Sequence, residues 1–163
     1  MPLTLDTATP ADIPALLTLI GELAEFERLA QEVVVTEASL QEALFCAKPA
    51  VETVIARVDG EVAGFALFFH NFSTFLGRSG LYIEDLYVRP ALRGQGIGRS
   101  LLAHIARLAA ARGCGRMEWS VLNWNRRAIG FYESLGARPV NDWTVYRLDR
   151  AAIDLLQAPR SDA

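Results

Sequence analysis

Residues 81–99 read LYIEDLYVRPALRGQGIGR. Leu81–Val88 is an apolar strand carrying two adjacent carboxylates, Glu84 and Asp85, and Pro90 stops it. A basic, glycine-bearing loop follows. Ile97 then opens a helix to Arg112, with Ile97, Leu101, Leu102, Ile105, Leu108 and Ala109 on its inward face and Gly113 as its stop. A glycine turn between strand and helix has two uses. It lets the backbone close on a phosphate or pyrophosphate held by the free N–H groups and dipole of the first helical turn, or it lets strand and helix pack tightly. The loop is not a dinucleotide fingerprint, because the third glycine counted from Gly94 falls on Arg99, and the spacing of a Walker loop is missing too. The pattern it does satisfy is [Q/R]-x-x-G-x-[G/A], with Arg93, Gly96 and Gly98 at the fixed positions.

Upstream, Leu3–Thr7 alternates as a strand, and Thr9, Pro10 and Asp12 cap a helix reaching about Leu29, with Ile13, Leu16, Leu17, Ile20, Leu23 and Ala24 inward. A second helix follows Thr36 and ends by Pro49. Strands at 51–58 and 62–72 flank Asp59-Gly60, a two-residue hairpin signal, and 73–80 reads as a loop. Downstream come a strand at 116–122, a helix at 126–135 closed by Gly136, a strand at 143–148 and a short helix capped by Asp149. The order β-α-α-β-β-β-α-β-α-β-α gives an α/β fold. Its central sheet is mixed and mostly antiparallel, flanked by helices, because hairpins pair antiparallel while the 81–122 unit allows a parallel crossover.

The chain has 163 residues, near the roughly 150 of one domain, so 1–157 is expected as a single domain with a flexible tail at 158–163. With 52% hydrophobic and 21% charged residues the chain folds. A net charge of −3 argues against nucleic acid as partner and permits a cationic substrate. No stretch approaches the roughly 18 apolar residues of a membrane span, and no secretory leader is evident, so the expected compartment is the cytoplasm. Cys46 and Cys114 make no disulfide framework, and neither His70 nor His104 joins a cluster with metal-ligand spacing, so no metal is expected. A serine-hydrolase elbow is absent, since Gly77-Arg78-Ser79-Gly80 has the wrong spacing.

The motif at 93–98, its strand and helix, the break at Asn125 and the Phe131-Tyr132 helix followed by Leu135-Gly136-Ala137 resemble the GCN5-related N-acetyltransferases over almost the whole chain. Glu22-Leu23-Ala24-Glu25-Phe26-Glu27, Tyr82–Val88 and Trp124-Asn125 are most similar to the diamine acetyltransferase subgroup, which contains the spermidine/spermine and thialysine N-acetyltransferases. The resemblance implies the acyl-CoA N-acyltransferase fold with splayed middle strands, acetyl-CoA as cosubstrate, a small amine as acceptor and a homodimer. The alternatives are peptide or protein acetylation on the same scaffold and a non-catalytic acetyl-CoA sensor.

Acetyl transfer to an amine needs a neutral nucleophile, a polarised thioester carbonyl and a proton for the leaving thiolate. Glu84 is the candidate base, since partial burial in an apolar strand makes a carboxylate a better base; the other reading is a carboxylate paired with an arginine in the sheet. On a regular strand Asp85 points to the opposite face, in a structural or subunit role; a bulge would change that. The resemblance implies Tyr132 as the acid at the thioester sulfur. It implies Leu86, Tyr87 and Val88 as backbone partners of the pantetheine arm, and Gly94, Gln95, Gly96, Ile97, Gly98 and Arg99 as the pyrophosphate cradle with Arg93 adding charge. Asn125 would bond the pantetheine. Arg127 and Ala128 join the cofactor set, although a solvated face serves Arg126 and Arg127 equally well. Phe26, Glu27, Glu84 and Asp142 form the amine site. Ala50-Val51, Phe75 and Asn141-Asp142-Trp143 depart from the polyamine enzymes and suit a shorter or differently charged amine.

Overall fold

Asp59 and Gly60 both adopt left-handed backbone, φ 52° and 84°, as a two-residue hairpin turn requires. They join β2 (Glu52–Val58) to β3 (Glu61–Ser73). β1 (Leu3–Thr7) pairs antiparallel with β2, β4 (Arg78–Val88) antiparallel with β3, and β5 (Met117–Trp119) parallel with β4. The sheet order is β1-β2-β3-β4-β5. The computed structural model describes residues 2–157, so the tail expected at 158–163 lies outside the described residues. The chain divides into two compact units, Met1–Leu122 and Asn123–Ala163.

In the first unit, α1 (Ile13–Phe26) and α2 (Glu37–Phe45) cover one face of the sheet. Ile13, Leu16, Leu19, Leu23, Leu40 and Leu44 pack there with Ile55, Phe65, Leu67 and Tyr87. The alternate residues of the strands, Val54, Ala66 and Phe68 among them, are buried on the opposite face, where α3 (Ile97–Ala111) turns in Leu101, Leu102 and Ile105. α1 stops at Phe26 rather than near Leu29 because Arg28 turns left-handed at φ 62°. The Leu29 N–H then donates to the Ala24 carbonyl and the Arg28 N–H to that of Glu25, which closes the helix.

Two features of β4 position the site. Its register with β3 slips between Leu67 and Phe68. Leu67 faces Asp85 and Phe68 faces Ile83, so Glu84 is the extra residue of a bulge. Its pairing with β5 covers only Leu81–Ile83, so among the described residues Glu84–Val88 has a strand partner on the β3 side alone. This is the expected splay.

Three expected elements differ. The loop at 73–80 shrinks to 74–77, since β3 and β4 run on to Ser73 and back from Arg78. The strand at 116–122 is held only over Met117–Trp119. The strand at 143–148 is not formed. Trp143, Val145 and Tyr146 are 74%, 84% and 93% exposed, and the segment joins no ladder among the described residues. Its apolar alternation is that of a strand, but a strand persists only with a partner to bond. The second unit therefore consists of α4 (Arg126–Ser134), an irregular stretch and α5 (Arg150–Gln157), whose Ala152 N–H donates to the Asp149 carboxylate at 2.8 Å.

Candidate active site

The unpaired half of β4 leads directly into the glycine loop. Leu86 and Val88 present their backbone groups on the side that β5 has left, whereas those of Tyr87 face β3, since the Arg89 N–H two residues on donates to the Ala63 carbonyl. Gly94 and Gly96 then hold φ of 82° and 81°, a conformation that L-residues with a Cβ resist. Gly96 caps α3, and the first bond of the helix runs from the Ser100 N–H to the Gly96 carbonyl. The amides of Ile97, Gly98 and Arg99 precede that bond and have no acceptor within the helix. Gly94, Gln95, Gly96 and Arg99 are exposed, whereas the Ile97 side chain is buried and anchors the turn. An open strand edge running into a bare helix N-terminus fits an extended ligand with an amide-bearing arm and a phosphate end.

The acidic end of the site lies on the α1 side of the sheet. Phe26 is the last residue of α1 and Glu27 its cap; both are half-buried, and burial pushes the Glu27 carboxyl up from its ordinary range. Glu84 is exposed, so the partial burial expected of it is not found, because a bulged residue stands clear of the ladder. No arginine or lysine among the described residues forms an ion pair with it. The desolvated carboxylate is Asp85. The bulge turns it onto the face of Leu67, its cross-strand partner, which packs beneath α1. Burial, then the charge of Glu84, then that of Glu27 push Asp85 up to about 6. Alternation along an unbroken strand hides this residue, and the only clue in the sequence is the paired acids themselves.

Arg93 stands between these two regions. Its Nε donates to the Val88 carbonyl at 2.7 Å, and its guanidinium lies 4.5 Å from the Phe26 ring centre and 5.5 Å from that of Tyr87. The charge expected at the pyrophosphate cradle is thus engaged at the β4–α1 junction, and Arg99, in the first turn of α3, is exposed. Tyr87 is buried; burial first, then the Glu22 charge, push the phenol up. Glu22 also accepts from Arg89 Nε and Nη2, at 3.1 and 2.9 Å, and Arg89 Nη1 donates to the Val62 carbonyl at 2.9 Å. Glu22 thereby fixes the end of β4 against α1.

In the second unit Asn125 caps α4, its side-chain oxygen accepting from the Ala128 N–H at 3.2 Å. Ala128 and Tyr132 are half-buried on that helix, and the rings of Phe131 and Tyr132 lie 5.4 Å apart. Arg126, Arg127 and Asp142 are exposed.

The model of the Acetyltransferase (GNAT) family matches residues 20–137. The L-ornithine N5-acetyltransferase of Arabidopsis thaliana is 35% identical over 93% of this chain and 85% of its own length. The thialysine N-epsilon-acetyltransferase of Caenorhabditis elegans is 38% identical over 91% of this chain and 92% of its own. Among solved structures, an integron cassette protein from the mobile metagenome of V. cholerae superposes with a TM-score of 0.79 at 26% identity, covering 96% of this chain and 98% of that one.

Proposed function

The chain belongs to the acetyltransferase (GNAT) family, and from that premise we propose that it transfers the acetyl group of acetyl-CoA to the primary amine of a small cationic acceptor. The observation that carries the proposal is the open half of β4 running into the bare N-terminus of α3. The bound cosubstrate supplies a thioester, an acyl group already activated for attack. Backbone groups of Leu86–Val88 hold its amide arm as an added strand and polarise the carbonyl, and the amides of residues 94–99 take the pyrophosphate. Asn125, Arg127 and Ala128 are assigned to the same ligand on the family resemblance.

The acceptor is a lysine-like amino acid or a diamine. The half-buried Glu27 and the exposed Glu84 supply negative charge around Phe26 in support of this reading, and Asp142 is assigned to the far end. The relatives that act on thialysine and ornithine support an amino-acid amine. Glu84, at the β4 bulge, takes the amine's proton, and Tyr132 protonates the leaving thiolate in a ternary complex. The two units work as one acetyltransferase domain, a reading supported by a family match that runs through the boundary at 122/123. We place it in the cytoplasm as a homodimer. No described helix is long and apolar enough to cross a membrane, and the exposed Phe72 and Phe75 at the β3–β4 tip support a second copy as partner.

The test is release of free CoA with thialysine, lysine, ornithine, putrescine, spermidine, spermine and a lysine peptide. Turnover on a small amine is expected. Turnover on the peptide alone makes the chain a protein acetyltransferase, and acetyl-CoA binding with no turnover makes it a sensor. Tyr132→Phe is expected to lower kcat about 10- to 100-fold while the acetyl-CoA Kd stays within twofold. Equal loss of cofactor affinity with chemistry intact would remove Tyr132 from the acid role.

A further inference from the structure

Two arginines bracket the short turn Pro90–Leu92 that leads from β4 into the glycine loop, and both reach back to α1. Arg89 meets Glu22 at 2.9 Å, and Arg93 lies over the Phe26 ring. Glu22 and Phe26 are spaced i, i+4, so they share one face of the helix. The end of α1 is thus fastened to the exit of β4 by an ion pair and, one turn on, by a guanidinium against a ring. The two contacts hold different things. Glu22 sits a turn back from the helix end, whereas Phe26 is the last residue of α1 and its cap, Glu27, follows directly. Beyond Glu27 the chain turns left-handed at Arg28, so no further helical turn supports that end.

Arg93 makes its contacts with two parts of one planar group. Its Nε donates to the Val88 carbonyl at 2.7 Å, and its central carbon lies 4.5 Å from the Phe26 ring centre and 5.5 Å from that of Tyr87. The Val88 carbonyl belongs to the row that β5 leaves open. The same side chain therefore touches the strand assigned to the acyl donor and the ring assigned to the amine. Among the described residues no carboxylate forms an ion pair with it, so its charge is turned to the two rings.

We propose that Arg93 is a positioning residue for the amine acceptor: it holds Phe26 and the Glu27 cap against the exit of β4 and so sets the acceptor site, while the backbone amides of the glycine loop take the phosphates. The assignment rests on the acetyl-transfer reading above. Lysine would keep the charge and lose the planar group. A phosphate contact tolerates that exchange, but a site that needs a hydrogen bond and a ring contact from one plane does not.

The test measures acetyl-CoA Kd by calorimetry, and kcat and KM for the amine the wild type turns over best, in wild type, Arg93→Lys, Phe26→Leu and the double variant. Arg93→Lys is expected to raise the amine KM about tenfold, with acetyl-CoA Kd within twofold. Phe26→Leu should raise the amine KM by a similar factor, and the double variant should be little worse than either single one, because both remove the same contact. A tenfold rise in acetyl-CoA Kd with the amine KM unchanged would make Arg93 a phosphate ligand and overturn the assignment while leaving acetyl transfer intact. Effects that multiply in the double variant, or a lowered Tm with both affinities unchanged, would overturn it too. A wild type that acetylates no amine overturns the transfer reading and this assignment with it.

Discussion

Asp85 leaves its mark on the stability of the protein. Its carboxyl is pushed from 3.8 to about 6 in the folded chain. Between those values the folded state binds more protons than the unfolded one, so stability falls as pH rises through that window and stays lower above it. Asp85→Asn removes the ionised form. The variant is therefore expected to be more stable than wild type at pH 7 to 8 by roughly 1–2 kcal/mol, discounted because the group is partly solvated. That is about 4 °C in Tm, with the difference vanishing near pH 4. Thermal unfolding at pH 4, 6 and 8 checks it, and a wild type whose stability is flat across this range would contradict the burial of the charge.

Elements show where the sequence speaks and where it is silent. The Asp59-Gly60 hairpin, α3 with its inward stripe and the Gly94–Gly96 loop are legible because each depends on local rules: turn conformation, helical period and left-handed backbone. Gly96→Ala tests the last of these. At φ 81° a Cβ is expected to cost about 1–2 kcal/mol and to weaken acetyl-CoA binding roughly tenfold, since 1.4 kcal/mol is about a factor of ten. Unchanged affinity would make the loop a packing device instead of a cradle. The bulge at Glu84 was not legible, because Leu81–Val88 alternates well enough for a regular strand and the slip is fixed by where β3 lies. The engagement of Arg93 with Val88 and Phe26 was equally hidden, since it joins a loop to a helix end far away in sequence. The strand read at 143–148 failed for the converse reason: its pattern is right, but pairing is a property of two segments.

At the scale of the whole molecule, apolar surface is left over. Phe72 and Phe75 at the tip of the β3–β4 hairpin are 63% and 92% exposed, whereas Phe68 is core and Phe69 rests against Tyr82 with ring centres 5.3 Å apart. A homodimer is expected, so light scattering should give twice the chain mass of 17.9 kDa. Phe75→Asp should shift the population toward monomer, and a monomeric wild type at micromolar concentration would contradict it. The open half of β4 has a consequence for the protein's life between turnovers. Bare strand edges recruit other chains, and most proteins blunt theirs at the outer margin of a sheet. Here the bare row belongs to β4, an inner strand, beyond the point where β5 ends at Trp119. Whatever fills that wedge completes the fold as much as it feeds the reaction. The amides of Leu86 and Val88 should exchange with solvent deuterium quickly in the free protein and slowly once the wedge is filled, so supply of the acyl donor would govern how long each molecule lasts as well as how fast it works.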